Sequence, residues 1–373
     1  MNRKYLLPIL AALLLSFSFS CAFASETAID TIIAGMSVRE KIGQLFCVRP
    51  DALSSGQNGL KVVDDDVRRQ FSNYPVGGFL FFSQNIRSPE QVRRLMQDLS
   101  SVTRIPPLFA VDEEGGSVAR FANSSAYDIA NPGNMRKIGR TNDTQNAYEA
   151  GKYIGGYLKE LGFTLDFAPV ADVSTNPNNT VIGNRAFSSD PEIAAEMVAA
   201  AVEGFRSSNI ACTLKHFPGH GNTSGDTHAG AASTEKTWEE MLGCEILPFR
   251  AGIDAGADAV MMAHIHTPNA TSDGLPSSLS PQMTGRLRRE LGFDGLIITD
   301  SLSMGAITRV YPESDEAAMA AFYAGADVLL MPRNLTKAFD MMVWAVEENI
   351  LPISRVDESV RRILLFKQKY GLI

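Results

Sequence analysis

The sequence predicts an α/β fold, a single-domain (β/α)8 barrel, on the basis of three observations. Short apolar runs alternate with longer amphipathic stretches along most of the 373 residues. The runs do not alternate between apolar and polar positions, which is typical of parallel strands buried on both faces. No second block of different composition follows them. The eight runs lie at residues 44–48, 78–82, 108–111, 165–169, 212–214, 259–263, 296–298 and 328–331.

The stretches between these runs have the period of amphipathic helices, and glycines such as Gly162 and Gly325 mark their ends. A doubly wound open sheet is the rival fold, but such sheets usually carry a glycine-rich phosphate turn after the first strand. Here Arg49-Pro50-Asp51 follows the first strand instead. The predicted helices lie at residues 89–103, 143–161, 190–208, 236–255, 281–291, 314–325, 335–349 and 356–370.

Composition and charge exclude several classes of protein. The chain is 45% hydrophobic and 20% charged, which is ordinary globular usage and excludes disordered, collagen-like and coiled-coil chains. The formal net charge is −8, and no basic run is longer than a pair. Binding to nucleic acid requires a basic surface that displaces counterions, so we expect no nucleic-acid partner.

The N-terminus has the pattern of a secretory signal peptide over residues 1–24. Two basic residues precede an apolar stretch, and Ala22-Phe23-Ala24 gives the small-x-small pattern of a cleavage site. The stretch is too short for a comfortable membrane span. A lipid anchor at Cys21 is the alternative to simple cleavage. We therefore expect an exported protein whose barrel occupies residues 25–373.

Polar side chains stand where most of the predicted strands end, and the longest irregular stretches follow those strands. On a barrel, all of these positions open on the C-terminal face, where active sites lie. A single aspartate after a strand is often only a helix cap, but several such groups at one barrel mouth are costly to desolvate without a partner or substrate. In chain order these groups are Asp112, Asp172, Lys215, His216, His264 and Asp300.

All five histidines lie between residues 216 and 266, and two chemistries compete for them. A carboxylate at Asp226 could hold one ring nitrogen of His228 and raise the basicity of the other. Glycosyl transfer to water would use such a proton donor with a carboxylate nucleophile. The alternative is a metal-dependent hydrolase whose ligands would be His216, His220, His264 and His266.

Four segments resemble, in order and spacing, those of the bacterial β-N-acetylhexosaminidases of glycoside hydrolase family 3. The signature loop of that family is matched by KHFPGHGNTSGDTH at residues 215–228. Three further blocks are matched by VDEEGGSVARF at 111–121, DFAPVADV with IGNRAFSSDP at 166–173 and 182–191, and IITDSLSMGAI at 297–307. Departures from the pattern, Glu113, Ser117 and Asn222, bear on leaving-group preference rather than on the chemistry.

The resemblance implies that Asp300 is the nucleophile of a double displacement and that His228, paired with Asp226, is the acid/base. Glu114 is expected only to brace the glycine turn that follows it. The terminal sugar would be held by Asp112, Arg120, Arg185, Lys215 and His216.

The implied activity is release of terminal β-linked N-acetylglucosamine with retention, from peptidoglycan fragments or other amino-sugar glycans, with no cofactor and no metal ion. Since a histidine donor lacks the charge of a carboxylate, phosphate in place of water as the acceptor stays open. A glycan-binding protein of the cell envelope, built on an inactive barrel, also stays open.

Overall fold

The computed structural model describes residues 28–54, 59–227 and 230–373, and a parallel β-sheet of eight strands lies at its centre. Two further short strands lie outside this sheet. In chain order the strands are β1 (Phe46–Val48), β2 (Gly78–Phe81), β3 (Leu108–Val111), β4 (Leu165–Asp166), β5 (Ala211–Phe217), β6 (Ala232–Ser233), β7 (Ala259–Met262), β8 (Ile265–His266), β9 (Leu296–Thr299) and β10 (Leu329–Leu330).

The central sheet forms a barrel because its two ends meet. Its strands lie in the order β10–β1–β2–β3–β4–β5–β7–β9. Ile298 in β9 forms a parallel bridge with Val328, and the N–H of Thr299 donates to the carbonyl of Val328 at 3.0 Å. All residues of these eight strands are buried, as expected for strands covered on both faces. The predicted (β/α)8 barrel is confirmed.

Helices occupy the connections between the barrel strands and surround the sheet. Residues 28–34 are also helical. The helices are α1 (Val38–Gln44), α2 (Asp65–Asn73), α3 (Pro89–Ser100), α4 (Met135–Gly139), α5 (Thr144–Leu161), α6 (Pro191–Ser207), α7 (Trp238–Leu242), α8 (Ile246–Asp254), α9 (Pro281–Gly285), α10 (Gly305–Thr308), α11 (Ser314–Ala324), α12 (Leu335–Glu347) and α13 (Ile353–Lys369).

Local sequence signals account for where several of these helices begin and end. The hydroxyl of Ser88 accepts the N–H of Gln91 at 3.2 Å, and Pro89 takes the first position of α3, where no N–H donor is required. Helices α5 and α11 end at Gly162 and Gly325, whose φ angles of 100° and 113° lie in the left-handed region that favours glycine. The sequence predicted both ends.

The structure differs from the predicted elements in a few places. Helices α1, α2, α4 and α10 were not predicted, and the predicted helix at 236–255 is interrupted at Gly243 between α7 and α8. Strands β6 and β8 pair with each other, linking the segment after β5 to the segment after β7. None of the described helices combines the length and apolar character that a membrane span requires. The signal peptide and Cys21 lie outside the described residues, so export stays a prediction.

Candidate active site

Six of the predicted site residues meet in one cavity of about 510 Å³ at the carboxyl end of the barrel strands. Glu114 and His220, for which the sequence predicted no contact with the sugar, line the same cavity. The six are Asp112, Arg120, Arg185, Lys215, His216 and Asp300.

One wall of the cavity is a network of ion pairs centred on the buried Lys215. Its Nζ lies 2.8 Å from Oδ1 of Asp112 and 2.6 Å from Oε1 of Glu114. Arg185 donates two hydrogen bonds to Glu114, from Nε at 2.8 Å and from Nη2 at 2.7 Å. Arg120 extends the network through a 3.4 Å contact with Asp112. A bidentate guanidinium–carboxylate pair of this kind fixes geometry as well as charge.

Asp112, Glu114 and Lys215 stay charged at neutral pH. Burial alone would raise the pKa of Glu114, but Lys215 and Arg185 outweigh it and lower that pKa to about 2. The pKa of Asp112 is also lowered, because the attraction of Lys215 and Arg120 exceeds the opposing effect of burial. The two carboxylates in turn raise the pKa of Lys215. The wall therefore offers both strong acceptors and strong donors to hydroxyl groups.

The expected role of Glu114 as a brace for the glycine turn is wrong, and its neighbour Glu113 has a bracing role instead. The carboxylate of Glu113 accepts the backbone N–H groups of Arg120, Phe121 and Ala122 at 2.5, 3.0 and 2.9 Å. It also accepts the hydroxyl of Tyr157 in α5 at 2.8 Å. Glu113 thus holds the backbone that carries Arg120, while Glu114 contacts the cations of the cavity.

His216 is held by the buried carboxylate of Asp172. Its Nδ1 lies 2.8 Å from Oδ2 of Asp172, whose other oxygen accepts the backbone N–H of His220 at 2.6 Å. Burial raises the pKa of Asp172 to about 6, and burial together with Arg185 lowers the pKa of His216 well below its usual range. A neutral His216 donates from Nδ1 to Asp172, so its Nε2 is left as an acceptor on the cavity side, 3.4 Å from Nη2 of Arg185.

Lys215 and His216 are adjacent in the chain, yet both line the cavity. Side chains of a regular strand point alternately to opposite faces. The pairing of β5 with β7 shifts register between Lys215 and Phe217, so this alternation is broken at the carboxyl end of β5.

Asp300 directly follows β9 and lines the cavity, and the buried His264 is close enough to act on its charge. Its Oδ1 accepts the N–H of Ser301 at 2.7 Å. Burial alone would raise the pKa of Asp300, but His264, His216, the N–H of Ser301 and Lys215 together lower it. Asp300 is therefore ionised at neutral pH, as a carboxylate nucleophile must be.

His264 is fixed by hydrogen bonds at both ring nitrogens. Nδ1 lies 2.7 Å from the hydroxyl of Ser278, and Nε2 lies 2.9 Å from the carbonyl oxygen of Ser301. His220 is similarly engaged, by the hydroxyls of Thr223 at 2.7 Å and Thr227 at 3.2 Å. Within the ranges that the structure covers, no three His, Cys, Asp or Glu residues are grouped as a metal site. The metal-ligand alternative would require His264 and His220 to give up these hydrogen bonds.

The loop that carries the predicted acid/base approaches the cavity next to Asp300. His228 itself lies outside the described residues, so its role and its pairing with Asp226 stay predictions. Asp226 is exposed and does not line the cavity, but the buried Thr227 does. The carbonyl of Thr227 accepts the N–H of Ala306 at 3.0 Å, which fastens the loop to the segment that follows Asp300.

A (β/α)8 barrel with an ionised aspartate and a wall of hydrogen-bond donors and acceptors at the carboxyl end of its strands is the arrangement expected of a barrel glycoside hydrolase. The chain belongs to glycosyl hydrolase family 3, since the model of the family's N terminal domain matches residues 37–366. The family and the enzyme class that the sequence predicted are both confirmed.

Relatives with assigned names support this membership. The chain is 34% identical over 327 residues to β-hexosaminidase A of Pseudoalteromonas piscicida, covering 80% of this chain and 54% of that protein. It is 33% identical over 344 residues to β-hexosaminidase LpqI of Mycobacterium tuberculosis, covering 90% and 84%. A solved structure of a family 3 β-N-acetylglucosaminidase from Paenibacillus sp. str. FPU-7 superposes with a TM-score of 0.83 at 36% identity, covering 91% of this chain and 63% of that one. The chain thus spans only part of the first and third of these relatives.

Proposed function

We propose that the protein is an exo-acting β-N-acetylhexosaminidase that releases terminal β-linked N-acetylglucosamine with retention of configuration. The observation that carries the proposal is a single cavity in which the ionised Asp300 stands with a wall of buried, ion-paired hydrogen-bonding groups. The names of the relatives, two β-hexosaminidases and a β-N-acetylglucosaminidase, support the choice of an amino sugar.

The charges of the cavity suit an uncharged sugar that is rich in hydroxyl groups. Asp112 and Glu114 accept hydrogen bonds, whereas Lys215, Arg185 and Arg120 donate them. Each of these groups has a charged partner, so none of them needs an ion from the substrate to balance it. Hydrogen bonds of this kind strengthen as the ring takes on oxocarbenium character in the transition state.

The reaction proceeds in two displacements. The carboxylate of Asp300 attacks the anomeric carbon while the acid, for which we propose His228, protonates the departing glycosidic oxygen. The result is a covalent glycosyl-enzyme. In the second step His228 removes a proton from water, water attacks the same carbon, and the carboxylate of Asp300 is released. Two inversions give net retention.

For the substrate we propose peptidoglycan fragments or other amino-sugar glycans of the cell envelope, reached by export through the signal peptide at residues 1–24. The secretory pattern of the N-terminus and the resemblance to β-N-acetylhexosaminidases support this choice.

The deciding experiment compares an aryl β-N-acetylglucosaminide with the matching aryl β-glucoside, with NMR detection of the first-formed product. We expect turnover of the acetamido sugar in large excess, with the β anomer appearing first, and we expect activity to survive exhaustive chelation. Preference for the glucoside, or the α anomer as first product, would refute the proposal. Loss of activity on chelation with rescue by zinc would favour the metal-dependent alternative, and binding without turnover would indicate a glycan-binding protein.

A further inference from the structure

A second cavity of about 370 Å³ opens directly beside the sugar cavity. It lies between the segments that follow β1 and β10. Ser303 and Met331 belong to the walls of both cavities. A group bound in the second cavity is therefore a neighbour of a sugar bound at Asp300.

The charges of this second cavity differ from those of the sugar cavity. Arg49 and Arg333 line it, and neither is ion-paired with a carboxylate in the part of the chain that the structure describes. The acidic residue of the wall, Asp51, is buried, and its two oxygens accept two backbone N–H groups and the side-chain amide of Asn85. The pKa of the nearby Glu313 is lowered mainly by its ion pair with Lys337 at 2.7 Å, and the charge of Arg333 adds a smaller effect. Among the described residues, the second cavity thus has two cationic side chains with no carboxylate at ion-pair distance.

Phe82 lines the sugar cavity, and its ring contacts one arginine from each cavity. The guanidinium of Arg49 lies 6.0 Å from the centre of the Phe82 ring, and that of Arg120 lies 5.3 Å from it. Arg120 is already paired with Asp112 on the sugar side. A contact with an aromatic face holds a guanidinium in place without using its N–H donors, so those of Arg49 are available at the border between the cavities.

We infer that the second cavity is a leaving-group subsite that binds a carboxylate on the portion of the substrate released from the terminal sugar. The inference rests on the proposed function and specifies its substrate class. The sugar cavity pairs its cations with its own carboxylates, which suits neutral hydroxyls. The second cavity does not, and a guanidinium fork matches a carboxylate in shape and charge. The partial positive charge at the start of α12, whose first residues join the wall, has the same sign.

The test uses two synthetic substrates that differ in one charge: 3-carboxyphenyl β-N-acetylglucosaminide and its 3-carbamoylphenyl counterpart. The ratio of their kcat/KM values is measured for the wild-type protein and for the double variant R49Q/R333Q. R94Q is the matched control, because the Arg94 side chain is 83% exposed on the outer surface of α3. We expect the double variant to lower the carboxylate-to-amide ratio by about tenfold at low salt, as for two partly exposed ion contacts, and R94Q to leave it unchanged. High salt should shrink the difference by screening.

The outcomes separate this inference from the proposed function. Turnover of both substrates with the same ratio in the wild type and the double variant overturns the inference alone. No turnover of either substrate by the wild type refutes the proposed function and the inference with it. Inorganic phosphate that inhibits cleavage of the carboxylate substrate more than that of the amide supports an oxyanion site. If phosphate instead yields N-acetylglucosamine 1-phosphate, and the double variant abolishes this product, the cavity holds an acceptor phosphate and the leaving-group assignment is wrong.

Discussion

The change of Glu114 to glutamine tests the role of the residue whose sequence-based interpretation the structure overturned. Glu114 has about 2% of its side chain exposed, and it accepts three charge-assisted hydrogen bonds, one from Lys215 and two from Arg185. Glutamine keeps one oxygen acceptor, removes the negative charge, and turns an N–H₂ group toward one of the two cations. Lys215 keeps Asp112 as a partner, so the disruption is partial.

The magnitude follows from these contacts. Breaking a buried ion pair outright costs about 3–5 kcal/mol, and one hydrogen bond to a charged group contributes about 1.5–3 kcal/mol. With one oxygen and one ion pair retained, we expect the transition state to lose about 2–3 kcal/mol of stabilisation. That corresponds to about a 30- to 150-fold loss in kcat/KM at roughly 1.4 kcal/mol per tenfold.

The assay measures kcat/KM on an aryl β-N-acetylglucosaminide together with the thermal unfolding midpoint, and E113Q is the matched control one residue away. Glu113 contacts backbone N–H groups and Tyr157 outside the cavity. The main effect of E113Q should therefore be a lower unfolding midpoint, with a smaller effect on kcat/KM than that of E114Q. E114Q should show the opposite pattern. An E114Q protein with wild-type kcat/KM and a lowered midpoint would restore the bracing role and refute our reasoning about the wall.

Three further predictions concern the nucleophile, the acid/base and one buried lysine. D300A should lose more than about 1,000-fold in kcat while its unfolding temperature stays unchanged, and added azide should yield the α-glycosyl azide by a single inversion. Substantial residual turnover to the β product without azide would show that Asp300 is not the nucleophile. H228A should slow substrates with poor leaving groups far more than activated aryl glycosides, since only the former need protonation, so equal losses on both would argue against proton donation. Lys367 is fully buried against two neutral acceptors, Gln44 and the carbonyl of Pro106, and burial lowers its pKa to about 7. In the unfolded chain the lysine keeps its proton up to a pKa of about 10.4, so between pH 7 and 10 the unfolded state binds one proton more than the folded state. The free energy of unfolding of the wild-type protein should therefore rise by up to about 1.4 kcal/mol per pH unit in this range because of Lys367, and K367M should lack that contribution. Parallel pH profiles of denaturant unfolding for the two proteins would contradict this prediction.

The barrel strands were predictable because each is a continuous apolar run that the fold buries on both faces, a signal that does not depend on distant partners. Helix α2 gives much less signal. Its nine residues, DDVRRQFSN, bury only Val67 and Phe71, and two apolar residues in nine do not establish a helical period. Strands β6 and β8 have two residues each and exist through their pairing with each other, which the local sequence does not encode.

The family resemblance predicted six of the residues that line the cavity, but it did not tell which of two adjacent acids, Glu113 or Glu114, lines it. The missing signal was the alternation of strand side chains continued past β3. Asp112 and Glu114 are two residues apart and share a face, and Glu113 points the other way. The same rule would have misled at Lys215 and His216, where the register shift in β5 turns both toward the cavity. The second cavity could not be predicted at all, because Arg49 and Arg333 lie nearly 300 residues apart and meet only when β1 and β10 pair.

The carboxylate of Glu113 accepts hydrogen bonds from three successive backbone N–H groups, and this matters for redesign of the enzyme. It anchors the backbone at residues 120–122 from outside the cavity, so the turn at 115–119 is bounded by a fixed point on its far side. Libraries that seek a new glycan preference can vary the length and composition of this turn while Arg120 keeps its place. The same libraries should leave Tyr157 alone, although it sits on an outer helix, because its hydroxyl is part of the anchor.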